Sequence, residues 1–328
     1  MKILSISIAL FNLGELIKKN IESIINSKYL DYIDVLVIDD GSSDNSCKIV
    51  EEYEKKYPNS IKLIKKKNGG PGSTVNCGIS FSRGKYFMML DGDDWVDTDG
   101  LNNVIEKIWD LDVDLIITNY KIYNERKNCI EKIVFYEDIQ ENKILNFSEY
   151  ACRLILSMHS VIYRTCIFKD NNIVLDNGFY TDTEFVLFPT RYINLFYYIN
   201  VSLYIYRIGR DGQSVNFKSL QKNYDYYNFI LFELIKKYEN EKEYFDKNKK
   251  KYFINRLIEM LFGEILIILS NKKNQKKRIF ELMKEVKNNS DDVYLEAKKN
   301  KKIKLMIFCK GLFIPFINIY YNLTKKFI

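Results

Sequence analysis

Histidine is almost missing: one residue of 328, His159, is a histidine. That excludes a zinc site built on several imidazoles, and any catalytic apparatus that needs two of them. The six cysteines (Cys47, Cys77, Cys129, Cys152, Cys166, Cys309) are scattered, and no pair has C-x-x-C spacing. A cysteine zinc site or a thioredoxin-like pair is therefore not expected. They read as reduced, mostly buried thiols of a cytosolic protein. No internal repeat is evident, and no stretch before residue 300 has the ~18 apolar residues of a spanning helix. The chemistry must rest on carboxylates, hydroxyls, amides and cationic side chains.

With 47% hydrophobic residues the chain can build a real core. Its length suggests one large domain with an appendage, or two domains. The net charge of +7 hides an asymmetry. Residues 1–215 hold 25 Lys+Arg against 30 Asp+Glu, and residues 216–328 hold 25 against 13. An acidic part is followed by a basic part, which suggests different tasks.

Lys2 and the apolar run after it have the look of a signal peptide. However, Ser5 and Ser7 alternate with Ile6 and Ile8, and no small-residue cleavage site follows. A buried first strand, Lys2–Leu10, is the expectation. Strands are then expected at Ile33–Asp39, Ile61–Lys65, Tyr86–Leu90 and within Val113–Tyr123. Helices are expected at Glu15–Ser27, Asn45–Tyr57 (with Ser42, Ser43 and Asp44 as N-cap candidates), Ser73–Ser82 and Leu101–Leu111. Strand and helix in alternation predict a mostly parallel sheet covered on both faces. In such sheets ligands bind beyond the carboxyl ends of the strands. Two acidic clusters, Asp39-Asp40 and Asp91-Gly92-Asp93-Asp94, fall at such ends.

One or two carboxylates at a strand end suit Mg²⁺ or Mn²⁺, which take oxygen ligands and keep substrate phosphates in their shell. Gly92 lets the backbone approach a ligand. A carboxylate in the Asp39–Asp44 run can accept from a base N–H or a ribose hydroxyl. Asn68-Gly69-Gly70-Pro71-Gly72-Ser73 has the glycine content of a phosphate loop, but neither P-loop nor Rossmann spacing. Alone, each of these is also an ordinary turn.

Together they resemble the inverting family 2 glycosyltransferases of GT-A fold, over about residues 3–215. The segments in order are Ser5–Asn12, Val37-Ile38-Asp39-Asp40-Gly41-Ser42-Ser43-Asp44, Asn68-Gly69-Gly70 through Asn76-Cys77-Gly78, and Tyr86–Asp94. The resemblance implies an α/β fold, a Rossmann-like mostly parallel sheet flanked by helices, with a helical C-terminal extension. It implies a GT-A catalytic domain at 1–217, with a nucleotide-sugar half to about residue 123 and an acceptor half after it. A basic helical region at 218–328 completes the chain. By the same resemblance Asp40, with Asp39 beside it, pairs with the uracil edge. Ala9 and Phe11 line the base pocket, Phe11 by stacking, and Asn12, Asn68, Gly69 and Gly70 border the donor. Asp91 and Gly92 approach the ribose or a metal-bound water, and Asp93 with Asp91 holds Mn²⁺ or Mg²⁺.

Inversion needs a general base opposite the leaving group. In Tyr180-Thr181-Asp182-Thr183-Glu184-Phe185 the resemblance puts it at Asp182, with Glu184 as the fallback. Thr181 stands where the family usually has Glu. Tyr206–Val215 resembles a Y-R-x-x-x-x-S segment, so Arg207 or Arg210 would hold the diphosphate. His159 and Glu184 lie on the acceptor side, and His159 reads equally as a buried polar residue. The family often has Pro near position 9 and Ala-Arg before Asn76. Here Ala9 and Thr74-Val75 stand instead, with Lys67 a candidate substitute for the arginine.

Residues 305–323 are strongly apolar between lysine runs. Lys310, Gly311 and Pro315 argue against a clean span, and an interfacial segment with a polybasic collar fits better. A packing helix and a homodimer contact are the other readings. No nucleic-acid motif accompanies the lysines, and no nucleic acid is expected. The expected function is a metal-dependent inverting transfer of sugar from a nucleotide donor, a UDP-sugar by the resemblance. The acceptor is a hydroxyl of a cell-surface glycan or its lipid carrier, and the setting is cytoplasmic, at the inner face of the membrane. The rival is a catalytically inactive nucleotide-binding GT-A scaffold in a glycan assembly complex.

Overall fold

The computed structural model describes residues 1–178, 180–210, 223–270 and 274–308. The boundary expected at 217/218 and residues 309–323 lie outside the described residues. Two compact units are present: Met1–Tyr150 with Leu154–Gln213, and Ala151–Arg153 with Ser214–Ile328.

The first unit is built on one mixed sheet. Its strands are β1 (Leu4–Leu10), β2 (Ile33–Asp39), β3 (Ile61–Lys65), β4 (Tyr86–Asp91) and β5 (Trp95–Val96). After them come β6 (Leu115–Asn124), β7 (Cys129–Val134), β8 (Ile144–Asn146), β9 (Val161–Arg164) and β10 (Leu195–Ile208). The order is β3-β2-β1-β4-β9-β6-β10-β5, with β7 on β6 and β8 on β10. The strands β3-β2-β1-β4 are parallel, as the β/α alternation dictates. β9 then enters antiparallel between β4 and β6, and β10 resumes parallel to β6. β2 is buried at every position, which explains its apolar run over 35–38, and the buried Asp34 near its start accepts from Ser5 Oγ and Arg83 Nε.

Helices α1 (Leu16–Ile25), α2 (Ser46–Lys56), α3 (Pro71–Phe81) and α4 (Thr98–Ile108) connect the early strands. α5 (Phe147–Tyr150), α6 (Thr165–Asp170) and α7 (Thr181–Leu187) come later. On α1, Ile17, Ile21 and Ile24 form the buried stripe, and Asn20 sits buried among them. α4 starts three residues earlier than its apolar pattern indicates, because the Asp97 carboxylate accepts the Gly100 N–H at 3.0 Å. α3 also starts early. Pro71 is preset for the first turn, and Gly70 takes φ 88°, a conformation that favours glycine.

Two sequence expectations change. None of Ser42, Ser43 and Asp44 is the N-cap of α2, a place taken by Asn45 without a side-chain bond. Instead Ser42 Oγ accepts the Asn12 N–H at 3.0 Å, and the Asp44 carboxylate accepts the N–H of Gly14 and of Ser46, each at 2.9 Å. They tie the loop after β1 to the loop after β2. The cysteines are less buried than expected: Cys129 and Cys166 are exposed, and Cys47, Cys77 and Cys152 are half-buried. All five lie at element surfaces rather than on core-facing stripes.

The second unit is helical: α8 (Tyr224–Glu241), α9 (Lys247–Ser270), α10 (Gln275–Asn289), α11 (Asp291–Lys299) and α12 (Lys301–Phe308). α9 is its axis and packs against the other four. α9 packs on α8, and Leu257, Leu261, Ile265 and Ile268 of the one and Leu231, Leu234 and Ile235 of the other are fully buried. Among the described residues no helix is long and apolar enough to cross a membrane. One polar group interrupts this core. Glu264 is fully buried and bonded to Asn228 and to the Tyr224 hydroxyl, and burial pushes its carboxyl up to about 7. An acid whose folded pKa is raised stabilises the fold fully below its unfolded value, near 4.5, and loses that stability as pH climbs through 7. Glu264→Gln should therefore flatten the fall in melting temperature between about pH 5 and pH 8, recovering up to about 3 kcal/mol at the alkaline end. Thermal melts of both proteins across that range check it.

Candidate functional site

The parallel register sets the site. Leu10 pairs with Asp39, and Ala9 with Asp91, so the ends of β1, β2 and β4 share one edge. Beyond this edge Phe11 is 50% exposed, a bare ring at a strand end. Asn12, at φ 50°, takes the Ser43 N–H on its side-chain oxygen at 2.8 Å.

Asp39 accepts the Ser42 N–H at 3.0 Å and a bond from the Cys47 thiol. Burial and that carboxylate push the thiol up to about 11. Asp40 behaves differently from the expectation that it reads a base edge. One of its oxygens accepts the Gly69 N–H and the other the Gly70 N–H, each at 2.9 Å, and Lys66 forms an ion pair with it. Asp40 thus organises the glycine loop. Lys66, rather than Lys67, is the cation placed here, and it also donates to Ser73 Oγ at 2.7 Å. Asn68 and Gly69 are exposed on this loop. At Gly70 an added Cβ would strike the Asn177 carbonyl.

The Asp91–Asp94 turn is held from three sides. Asn20 donates to the carbonyls of Asp91 and Asp94, both at 2.9 Å. At Gly92 a side chain would meet the Ala9 carbonyl at 2.5 Å. The Tyr204 hydroxyl donates to Asp94 at 2.7 Å, and the Arg207 N–H donates to the same carboxylate at 2.7 Å. Arg207 is buried, with Nε on the Asp93 carbonyl at 2.7 Å and Nη1 on Glu125 at 3.0 Å. Its guanidinium and Lys19 both lie against the Trp95 ring. This arginine braces the turn. Arg210 is bonded to the Asp93 carboxylate at 2.9 Å.

The carboxylates are therefore sorted. Asp93 has a cationic partner, whereas half-buried Asp91 faces buried Asp94. Burial, then the charges of Asp93 and Asp182, push Asp91 up to about 7. Burial, then the charges of Asp91 and Asp93, raise Asp94 well above the usual carboxylate range. The donor atoms of Asp91, Asp94 and His159 all lie within 4.8 Å of one another, a candidate metal-binding cluster. Asp93 was the expected ligand and is not among the three; Asp94 is. His159 Nε2 is sealed from solvent and bonded to nothing. Two acids that repel each other and one orphaned imidazole nitrogen make a donor set that fits a divalent cation.

Asp182 is exposed in the first turn of α7 and close enough for its charge to raise both Asp91 and the Tyr206 hydroxyl. Glu184 is buried, and its Oε2 accepts the Asp176 N–H at 2.8 Å. That carboxylate secures the turn before α7. Sequence reasoning missed Asn20, Tyr204 and Asp94. Asn20 left a signal, a polar residue in the apolar stripe of α1, and Asp94 stood in the acidic cluster without being singled out as a ligand. The place of Tyr204 depends on β10 returning beside β6, which no local pattern reveals.

The sequence model of glycosyl transferase family 2 matches residues 5–171. Glycosyltransferase GlyA of Streptococcus pneumoniae is 25% identical over 224 residues, which are 64% of this chain but only 31% of that protein. Among solved structures, Staphylococcus aureus TarS 1-349 in complex with UDP-GlcNAc superimposes with a TM-score of 0.58 at 18% identity, over 91% of this chain and 92% of that one. The mannosyltransferase PcManGT of Pyrobaculum calidifontis, in complex with GDP-Man and Mn²⁺, gives 0.52 at 10% identity, over 94% and 87%. The family match spans half the chain and covers β1 to α6, the segment that carries the strand-end carboxylates. By that match and by its α/β GT-A-like fold, the chain belongs to glycosyl transferase family 2.

Proposed function

We propose that the protein is an inverting glycosyltransferase that moves a sugar from a UDP-sugar to an acceptor hydroxyl of a cell-surface polysaccharide or of its lipid-linked precursor. The observation that carries this reading is the meeting of Asp91, Asp94 and exposed Asp182 at one sheet edge, beside bare Phe11 and a glycine loop. The TarS structure, which holds UDP-GlcNAc, supports the choice of base. Phe11 stacks on the base, and Asn68, Gly69 and Gly70 border the donor, with their backbone fixed by Asp40. Asp91 and Asp94 hold the cation, Mn²⁺ or Mg²⁺. When bound, it neutralises charge on the leaving diphosphate. Arg210 is a second cation within reach of that diphosphate.

Asp182 accepts the proton of the acceptor hydroxyl. The oxygen so activated attacks the anomeric carbon from the face opposite the diphosphate, a bond forms there as the carbon–phosphate-oxygen bond breaks, and the anomeric centre inverts. Burial, then the charges of Asp94, Asp91, Asp182 and Asp93, keep the Tyr206 hydroxyl protonated and able to donate. The work is cytoplasmic, at the inner face of the membrane, where the lysine-flanked segment 305–323 makes a peripheral contact or a contact between two copies. A thermal-shift screen of UDP-, GDP- and CDP-sugars with and without Mn²⁺ tests the reading. UDP-sugars should raise the melting temperature, and more so with Mn²⁺. Equal shifts for all bases, or none, would overturn it.

A further inference from the structure

We infer that His159 is a metal ligand, the one nitrogen donor beside the carboxylates of Asp91 and Asp94, and that it makes this site select Mn²⁺ over Mg²⁺. The inference rests on the cation-assisted reading above and adds a ligand and a selectivity to it.

The imidazole is held as a ligand is held. Its Nδ1 is bonded to Ser157 Oγ at 2.6 Å, and the same oxygen receives the His159 N–H. Tyr120 and Tyr206 pack on the ring at centroid distances of 5.2 and 4.4 Å, and Tyr204 meets it edge-on at 4.7 Å. Tyr204 also donates to Asp94, so one tyrosine sets the direction of two donors. The fixed ring leaves Nε2 sealed and unbonded, and a ring nitrogen of His159 lies within 4.8 Å of the Asp91 and Asp94 carboxylate oxygens. A buried nitrogen with no partner costs about 1–3 kcal/mol, and the protein offers it none. An imidazole whose far nitrogen is fixed by a hydrogen bond is the usual form of a metal-bound histidine. A cation among the three donors satisfies the orphan nitrogen and separates the two carboxylates at once.

The donor set decides the ion. Two carboxylates alone serve Mg²⁺ and Mn²⁺ alike. Mg²⁺ favours oxygen and gives up water reluctantly, whereas imidazole suits the transition metals. His159 therefore adds affinity for Mn²⁺ and little for Mg²⁺.

Because the chain has one histidine, ¹⁵N-labelled histidine gives one imidazole signal pair in the full-length protein. Titration with Cd²⁺, a diamagnetic ion that accepts nitrogen, should shift the Nε2 resonance strongly, and Mg²⁺ should not. In parallel, Mn²⁺ affinity is read from the free-ion electron paramagnetic resonance signal, and Mg²⁺ affinity by competition. Removal of partners that merely orient a ligand costs 10–100-fold in metal affinity, so His159→Phe, which refills the tyrosine cage, should cut the Mn²⁺/Mg²⁺ preference by at least about tenfold. An unchanged preference in folded His159→Phe, or an Nε2 signal that Cd²⁺ leaves in place, overturns the inference. If the variant does not fold, the Nε2 signal of the native protein decides alone. Mn²⁺ binding that survives His159→Phe at full preference sinks the ligand assignment only. Failure of the native protein to bind Mn²⁺, with or without UDP, sinks the cation-assisted reading itself.

Discussion

Asp182→Asn is expected to lower kcat by about 10²–10⁴-fold, the usual contribution of a positioned general base. The amide keeps the size of the carboxylate but cannot take a proton. Donor binding should change little, because Asp182 is exposed in the first turn of α7 and its proposed role is toward the acceptor hydroxyl rather than the donor. UDP-sugar affinity, measured by calorimetry, should stay within a few-fold of the native value while turnover collapses. A comparable loss of affinity would make Asp182 a donor contact. Retained turnover would pass the role to another group. Glu184→Gln separates the two acids of this helix. Its carboxylate is buried on the Asp176 N–H, so that variant should lose stability in urea unfolding before it loses chemistry.

Much of the fold was legible because its first half is locally consistent. Ile33–Asp39 and Ile61–Lys65 were read with the limits the strands have: the first is a buried run that ends in a carboxylate, and the second is a short edge strand that ends in a lysine. Helix starts were less legible. α4 begins at a carboxylate cap, and α3 at a glycine-proline corner that the apolar pattern does not mark. The site was legible as a set of carboxylates and illegible in their division of labour. Asp93 and Asp94 are adjacent, yet Arg210 claims one and Tyr204 and the Arg207 backbone claim the other. Those partners come from the end of β10, more than a hundred residues away in sequence. Arg207 was expected on a diphosphate and instead braces the turn, because a guanidinium buried against Trp95 with bonds to Asp93 and Glu125 has little left to offer a ligand. His159, expected on the acceptor side, stands with the carboxylates because β9 enters between β4 and β6.

Asp91→Asn should have opposite effects on stability and on activity. Asp91 is pushed up to about 7 by burial and by the charges of Asp93 and Asp182. Above pH 7 the folded protein must carry this charge at a cost that the unfolded chain, with its carboxyl titrating near 4, does not bear. The sign is thus fixed: in the absence of metal the native protein loses stability as pH rises from about 4 through 7, and the neutral amide does not. At pH 8 Asp91→Asn should melt higher than the native protein, by an amount worth one to a few kcal/mol. Activity should move the other way. In the proposed cation site the carboxylate of Asp91 would be one of the charges that hold the ion, and removing one well-placed electrostatic contact at a reacting centre costs about 10²–10³ in kcat. The Mn²⁺-dependent gain in melting temperature should vanish with it, since a ligand that no longer binds the folded state cannot stabilise it. Melting curves of both proteins at pH 8, each with and without Mn²⁺, and turnover at saturating donor together test the assignment. A variant that is less stable than the native protein without metal would show that Asp91 is held by its fold rather than strained by it. A variant that keeps the Mn²⁺ shift would place the cation on other residues.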